Sequence, residues 1–298
     1  DPEKRGGFSE AVLLWQIIFS KMRSSKNFMK RLVLIIIMLA LSFTQTVPVF
    51  AIDEEPETVS EAAILIDAKT GKVIYEKNAK RVMEPASITK VMTCMLAIEN
   101  LDPDKKVTIT RDMDLLGHVM SLKEGEQLTV RQLLYSMMVW SANDAAVILA
   151  EEVSGSVTEF AELSTKRAHE LGAESTFYKN PNGLNDVTGH VTTAEDLAII
   201  CRWAMKNKTF RKIVSTVRYE VPAKGASEER KFKSTNRLLY DKKSEINVNG
   251  RERFPKYEGA IGIKTGQTGT AGYCLAGSAK RKGTEFIAVI LFAPDDLS

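Results

Sequence analysis

Apolar and polar positions alternate in two rhythms along this chain, and the rhythm changes twice. Ala62–Ala68 and Val73–Glu76 read as two strands, joined through Lys69-Thr70-Gly71-Lys72 as a hairpin with glycine at its turn. From Lys90 to Asn100 nearly every position is apolar, so Ser87–Asn100 is predicted to be a buried central helix. Helical patterns recur at Val130–Trp140, Asp144–Val153, Val157–Leu171 and Thr193–Asn207, punctuated by Gly155, Gly172 and the Asn180–Asn185 loop. Strand patterns return at Val217–Val221, Gly259–Ile263, Ala271–Ser278 and Phe286–Phe292, the last two flanking a tight Lys280–Gly283 turn. Strands, then helices, then strands predict an α+β fold. Its antiparallel sheet is built from both chain ends and flanked by helices, and a helical insertion lies between.

The first fifty residues follow neither rhythm. Met29 opens a basic Lys30-Arg31 pair, an almost unbroken apolar run follows from Leu32 to Phe43, and Pro48 precedes Val49-Phe50-Ala51. Charged start, apolar middle and small residue at the end form the pattern of a secretory leader, with cleavage expected after Ala51. A membrane-spanning helix is the competing reading. Twelve residues of helix reach only about 18 Å, short of the ~30 Å hydrocarbon core. The expected organisation is therefore an upstream segment over 1–28, outside the mature protein, a signal peptide over 29–51, and one domain over 52–298. The protein is expected to be exported across the cytoplasmic membrane and to act outside it.

Charge changes the picture once the leader is set apart. The formal net charge is +3, but residues 1–51 hold seven of the Lys/Arg and three of the Asp/Glu. From Ile52 onward 34 basic residues face 35 acidic ones, a net of −1, and no basic stripe remains to recruit nucleic acid. Cys94, Cys201 and Cys274 have no metal spacing, and their odd number argues against a disulfide framework. His118, His169 and His190 sit in no metal-binding pattern, so neither a metal nor a cofactor is expected.

Three short motifs carry chemistry. Ser87-Ile88-Thr89-Lys90 is the only S-x-x-K in the chain, and i, i+3 spacing on a helix puts serine and lysine within reach of each other. A serine hydroxyl needs a neighbouring base, and lysine serves only if burial or a nearby cation lowers its pKa. Ser141-Ala142-Asn143 precedes a helix and offers a hydroxyl and a carboxamide. Its spacing recurs at Ser25–Asn27 and at Ser234–Asn236, which are set aside because one lies in the leader and the other opens no helix. Lys264-Thr265-Gly266 ends an apolar strand, whereas its double at Lys69-Thr70-Gly71 is a solvated turn. Small residues beyond Gly266 would let a peptide backbone lie along the strand edge, and a lysine there would attract a terminal carboxylate.

In this order the motifs resemble those of penicillin-binding proteins and serine β-lactamases. The stretches around Glu84–Thr93, Trp140–Ala150, Phe177–Leu197 and Gly262–Leu275 resemble one branch, the low-molecular-weight D-alanyl-D-alanine carboxypeptidases, over roughly Val59–Ala293. The resemblance implies a transpeptidase-like fold and removal of the terminal D-alanine from peptidoglycan stem peptides ending in D-Ala-D-Ala, through an acyl-enzyme. It implies Ser87 as nucleophile, Lys90 as general base, Ser141 as proton shuttle and Asn143 as holder of the substrate amide. Lys264, Thr265 and Gly266 would receive the substrate carboxylate, and the backbone N–H groups of Ser87 and Gln267 would form the oxyanion hole. β-Lactam antibiotics would be covalent inhibitors. Relatives continue past the last strand into a covering helix, and often into a second domain and a membrane anchor. Phe286–Phe292 is accordingly expected to leave an apolar face bare, and any membrane association would run through a C-terminal anchor not present in this chain.

Other readings stay open on the same residues. A D,D-endopeptidase would use the same motifs. A β-lactamase would need a glutamate to activate the deacylating water, and Glu170 and Glu174, the nearest candidates, sit in no E-x-x-L-N context. A non-catalytic wall-binding relative would have lost a motif residue, and all are present.

Overall fold

The computed structural model describes residues 58–225, 227–248 and 250–294. The expected leader and upstream segment lie outside the described residues. Strand β1 (Ala62–Asp67) turns back into β2 (Val73–Lys77), and the chain reaches the sheet again only with β9 (Ala260–Thr268), β10 (Gly272–Arg281) and β11 (Thr284–Ala293). The order β2-β1-β11-β10-β9 is antiparallel throughout, so the two ends of the described chain meet at the β1–β11 pair. Ala62 faces Leu291 and Ile66 faces Ile287 in that register. One face of β11 (Ile287, Val289, Leu291, Ala293) is fully buried, while Phe286 on the other is 38% exposed.

Helix α1 (Lys90–Asn100) is the centre of the core. Every residue from Lys90 to Ala97 is buried, and removing these apolar side chains from water contributes roughly 1.5–3 kcal/mol for each large one before entropy is charged. Around it pack α3 (Asn143–Ser154), α4 (Val157–Glu170), α5 (Ala194–Ala204) and α6 (Lys208–Val214), and α5 also lies on β1 and β11. Side-chain caps start three of these helices: Ser156 accepts from Glu159 N–H, Thr193 from Asp196 N–H, and Asn207 from Phe210 N–H. The α+β reading from the pattern is the fold observed.

Several details differ from the sequence reading. The central helix begins with a tighter 3₁₀ turn, Ala86–Thr89, so Ser87 precedes the α-helix proper. Val130–Trp140 is not one helix but α2 (Val130–Tyr135) followed by a π-turn, Ser136–Trp140, that delivers Ser141 in a left-handed conformation at φ 69°. The third strand does not end before Lys264: β9 runs through the whole Lys264-Thr265-Gly266 motif to Thr268. Three small hairpins were not predicted in full: β3 (Lys106–Thr108) with β4 (Gln127–Thr129), β5 (Arg218–Val221) with β6 (Arg230–Lys233), and β7 (Ile246–Val248) with β8 (Arg251–Arg253). Strands of three or four residues are too short to show a period. Among the described residues no helix is long and apolar enough to cross a membrane.

Candidate active site

The 3₁₀ turn places Ser87 at the mouth of α1 and Lys90 one turn below it, fully buried. Lys90 Nζ lies 2.7 Å from Ser87 Oγ, 2.8 Å from Asn143 Oδ1 and 2.6 Å from the Asn182 carbonyl oxygen. Asn143 is oriented by its other end, where Nδ2 donates to the Leu116 carbonyl at 2.6 Å. Its Oδ1 must therefore face the lysine. Burial pushes the Lys90 amine well below the ordinary lysine range. The Lys264 cation acts in the same direction, and the Asp144 carboxylate opposes both.

A neutral amine has two N–H donors and one lone pair. Asn143 Oδ1 and the Asn182 carbonyl can only accept, so they take the two donors and leave the lone pair for the Ser87 hydroxyl. This arrangement can remove the serine proton as the oxygen attacks. Asn182 is held by the loop that carries it. Asn180 Oδ1 accepts from the Asn182 and Gly183 N–H groups, and Thr93 on α1 donates to the Pro181 carbonyl at 2.6 Å.

Ser141 is 5% exposed and lies on the same cleft, raised there by its left-handed backbone. Ala86, beside Ser87, is also left-handed at φ 46°. Such residues cost on the order of 1–3 kcal/mol each and persist only where their surroundings enforce them. Asp144, three residues beyond Ser141, is fully buried and accepts N–H groups from Met120, Leu122 and Ala145. That fixes the 116–122 segment over Asn143, whose backbone N–H donates to the His118 carbonyl at 2.8 Å. The His118 ring packs edge-on against Trp140, and burial, then the neighbouring Lys264 and Lys90, lower its pKa.

The opposite wall is the free edge of β9. Ser87, His118, Ser141, Thr235, Thr265 and Gln267 line one cleft of about 670 Å³. Gly266 permits the approach: a methyl group there would lie 3.0 Å from both the Ala86 Cβ and the Ser87 nitrogen. Thr265 Oγ1 is 2.7 Å from Thr235 Oγ1.

Residues 50–295 match the family of the D-alanyl-D-alanine carboxypeptidases. The chain belongs to this family. It is 38% identical over 242 residues to the D-alanyl-D-alanine carboxypeptidase DacF of Bacillus subtilis, a match covering 78% of this chain and 57% of that protein. It is 32% identical over 263 residues to DacC of Escherichia coli, covering 82% of this chain and 59% of the relative. The chain thus spans less than two thirds of the length of these two relatives. Among solved structures, penicillin-binding protein D2 of Listeria monocytogenes in its ampicillin-bound form superposes with a TM-score of 0.68 at 28% identity, covering 81% of this chain and 93% of that one. The D-alanyl-D-alanine carboxypeptidase of Mycobacterium tuberculosis gives 0.71 at 28% identity, covering 80% and 85%.

The carboxypeptidase motifs expected from sequence converge, with one difference in placement. Ser87, Ser141, Thr265, Gly266 and Gln267 line the cleft, while Lys90 and Asn143 sit beneath Ser87. Lys264 does not present its charge at the strand edge. It is 1% exposed, its ammonium donates to the Thr265 carbonyl at 2.9 Å, and burial lowers its pKa to about 7. The set-aside Ser234–Asn236 copy needs correction too: Thr235 and Asn236 form part of the cleft wall, with Asn236 capping a short turn, Arg237–Leu239. Asn182 and Asp144 were missed as well. Asn182 acts through a backbone carbonyl and left no signal, whereas Asp144 was visible as a lone acid opening an apolar helix.

Proposed function

We propose that Ser87 attacks the carbonyl of the penultimate D-alanine of a peptidoglycan stem peptide, releasing the terminal D-alanine and leaving an acyl-enzyme that water then hydrolyses. The observation that carries this reading is the buried Lys90 amine 2.7 Å from Ser87 Oγ; in its neutral form, with Asn143 and Asn182 taking its two donors, the lone pair is left for the hydroxyl. As the Oγ–C bond forms, the Ser87 proton passes to Lys90 Nζ. The oxygen of the tetrahedral intermediate points at the backbone N–H groups of Ser87 and Gln267, a type of stabilisation worth about 3–4 kcal/mol per donor. Collapse breaks the C–N bond, and the leaving D-alanine amine takes a proton through the Ser141 hydroxyl. Water repeats the steps in reverse on the ester, with Lys90 again as base.

Substrate would lie antiparallel to β9, its terminal carboxylate at the Thr265–Thr235 hydroxyl pair, with Lys264 supplying positive field from behind and Asn143 bordering the peptide amide. A β-lactam presents a reactive amide of similar shape and would acylate Ser87 in the same way. Its amine stays tethered and shields the ester from water. Among the described residues no glutamate lines the cleft to activate that water. Glu170 pairs with Arg167 on α4, and neither it nor Glu174 lines the cleft, which favours the peptidase over the β-lactamase reading. The working unit is taken as residues 52–298, exported by the leader at 29–51.

Purified protein mixed with a pentapeptide ending in D-Ala-D-Ala is expected to release free D-alanine, and Ser87→Ala to release none. Equal release from the two proteins would refute the assignment. Cleavage of cross-linked dimers faster than of the pentapeptide would move the activity to the endopeptidase class.

A further inference from the structure

Behind the nucleophile runs a second polar chain that the acyl-transfer steps do not use. The Lys179 backbone N–H lies 3.0 Å from His190 Nδ1, His190 Nε2 lies 2.8 Å from Thr89 Oγ1, and Thr89 Oγ1 lies 2.8 Å from the Ala86 carbonyl oxygen. Its polarity follows from the two ends. A backbone N–H only donates, so Nδ1 accepts. A carbonyl only accepts, so the Thr89 hydroxyl spends its one proton on Ala86. His190 Nε2 must therefore carry the hydrogen that Thr89 accepts. One tautomer satisfies every link, and an imidazolium would set a second N–H against Lys179.

The chain ends on a peptide that matters. Ala86 is left-handed at φ 46°, and in a trans peptide the Ala86 carbonyl and the Ser87 N–H point in opposite directions. Holding the oxygen on Thr89 aims the N–H at the other side, where Gly266 and the cleft lie. Gly183, at φ 82°, closes the clamp, since a methyl there would collide with the same carbonyl oxygen. His190 is 2% exposed and Thr89 1%, so both lie out of contact with bulk solvent.

We infer that His190 and Thr89 are positioning residues, a relay that fixes the Ala86–Ser87 peptide so that its N–H meets the developing oxyanion. The inference rests on acyl transfer at Ser87. Burial favours the neutral imidazole, lowering the His190 pKa to about 4; of the charged groups facing it, Asp186 opposes the shift and Lys90 and Lys179 reinforce it.

The test reads acylation by benzylpenicillin over a range of drug concentrations, separating the limiting rate constant from the half-saturating concentration. Thr89→Val keeps the shape and removes the hydroxyl, and His190→Leu removes both ring nitrogens. Each is expected to lower the limiting rate constant about 10- to 100-fold, the scale of a small misplacement of a reacting group, and to change half-saturation less than threefold. Thr89→Ser and His190→Gln keep a donor and an acceptor in place and are expected to stay within threefold of wild type. A merely structural role would lower the melting temperature and leave the limiting rate constant unchanged well below it. Wild type labelled on Ser87 with Thr89→Val equally fast overturns the relay alone. Wild type that never labels on Ser87 overturns the acyl-transfer reading beneath it.

Discussion

One wall of the cleft is a helix start and the other a strand edge, and they hold their functional groups by different means. On the helix side everything rests on buried side chains: Lys90 between Ser87, Asn143 and Asn182, and Thr89 between His190 and Ala86. On the strand side the groups offered are mostly backbone and small hydroxyls, from Thr265 to Gln267, with Lys264 tucked behind. Buried polar networks are worth most when every member is satisfied, and a single deletion strands its partners. A strand edge loses little when a side chain changes, because its hydrogen-bonding groups belong to the main chain. The helix wall should therefore be brittle and the strand wall tolerant, except where the two touch.

The largest break in that contrast is Lys90→Arg. A guanidinium stays protonated, so it can fill the charge but not take the serine proton. Acylation by penicillin is expected to fall about 10³-fold, within the usual range for losing a general base, with the circular dichroism spectrum retained. A folded variant acylating near the wild-type rate would remove Lys90 from the chemistry.

A smaller effect separates the walls by stability. His190 has a folded pKa of about 4 against an ordinary value of 6.5. Between those values the unfolded chain binds the extra proton and the folded chain does not, so stability falls as pH drops from 6.5 towards 4. The loss from this one group reaches about 3 kcal/mol. Denaturant titrations should show His190→Gln losing less stability than wild type over that window. Parallel losses would mean the ring is not held neutral.

The smallest effects belong to the strand. Gly266→Ala pushes a methyl against Ala86 and Ser87, where the two walls meet, and should cost about 10-fold in acylation through displacement of the nucleophile. Gln267→Ala, one residue on, keeps the backbone N–H and should stay within about threefold, since the exposed side chain is not the donor. Equal losses at both positions would show that the strand wall works through side chains after all.

The same division explains what the sequence made legible. The sheet could be read from both ends because β1, β10 and β11 bury one face along six to ten residues. The Ser87–Lys90 contact could be read because i, i+3 spacing brings the two side chains together. The burial of Lys264 was not legible, because nothing local says that a lysine beside small residues folds inward to 1% exposure. Ser234–Asn236 misled for the opposite reason. It opens no α-helix, yet tertiary packing carries Thr235 to Thr265, 30 residues away in the chain. Asn182 contributes a carbonyl that any residue would have, so what selects it is the Asn180 turn that holds it.

The central claim is that the buried Lys90 amine makes Ser87, and no other hydroxyl in the cleft, the nucleophile. It is tested most directly by intact-mass measurement after benzylpenicillin is added to wild type, Ser87→Ala and Ser141→Ala, followed by peptide mapping. The account predicts one drug added per wild-type molecule, mapped to Ser87 and lasting minutes or longer. It predicts no adduct on Ser87→Ala and a slower adduct, still on Ser87, on Ser141→Ala. An adduct on Ser87→Ala, or one mapped to Ser141 in wild type, would contradict it.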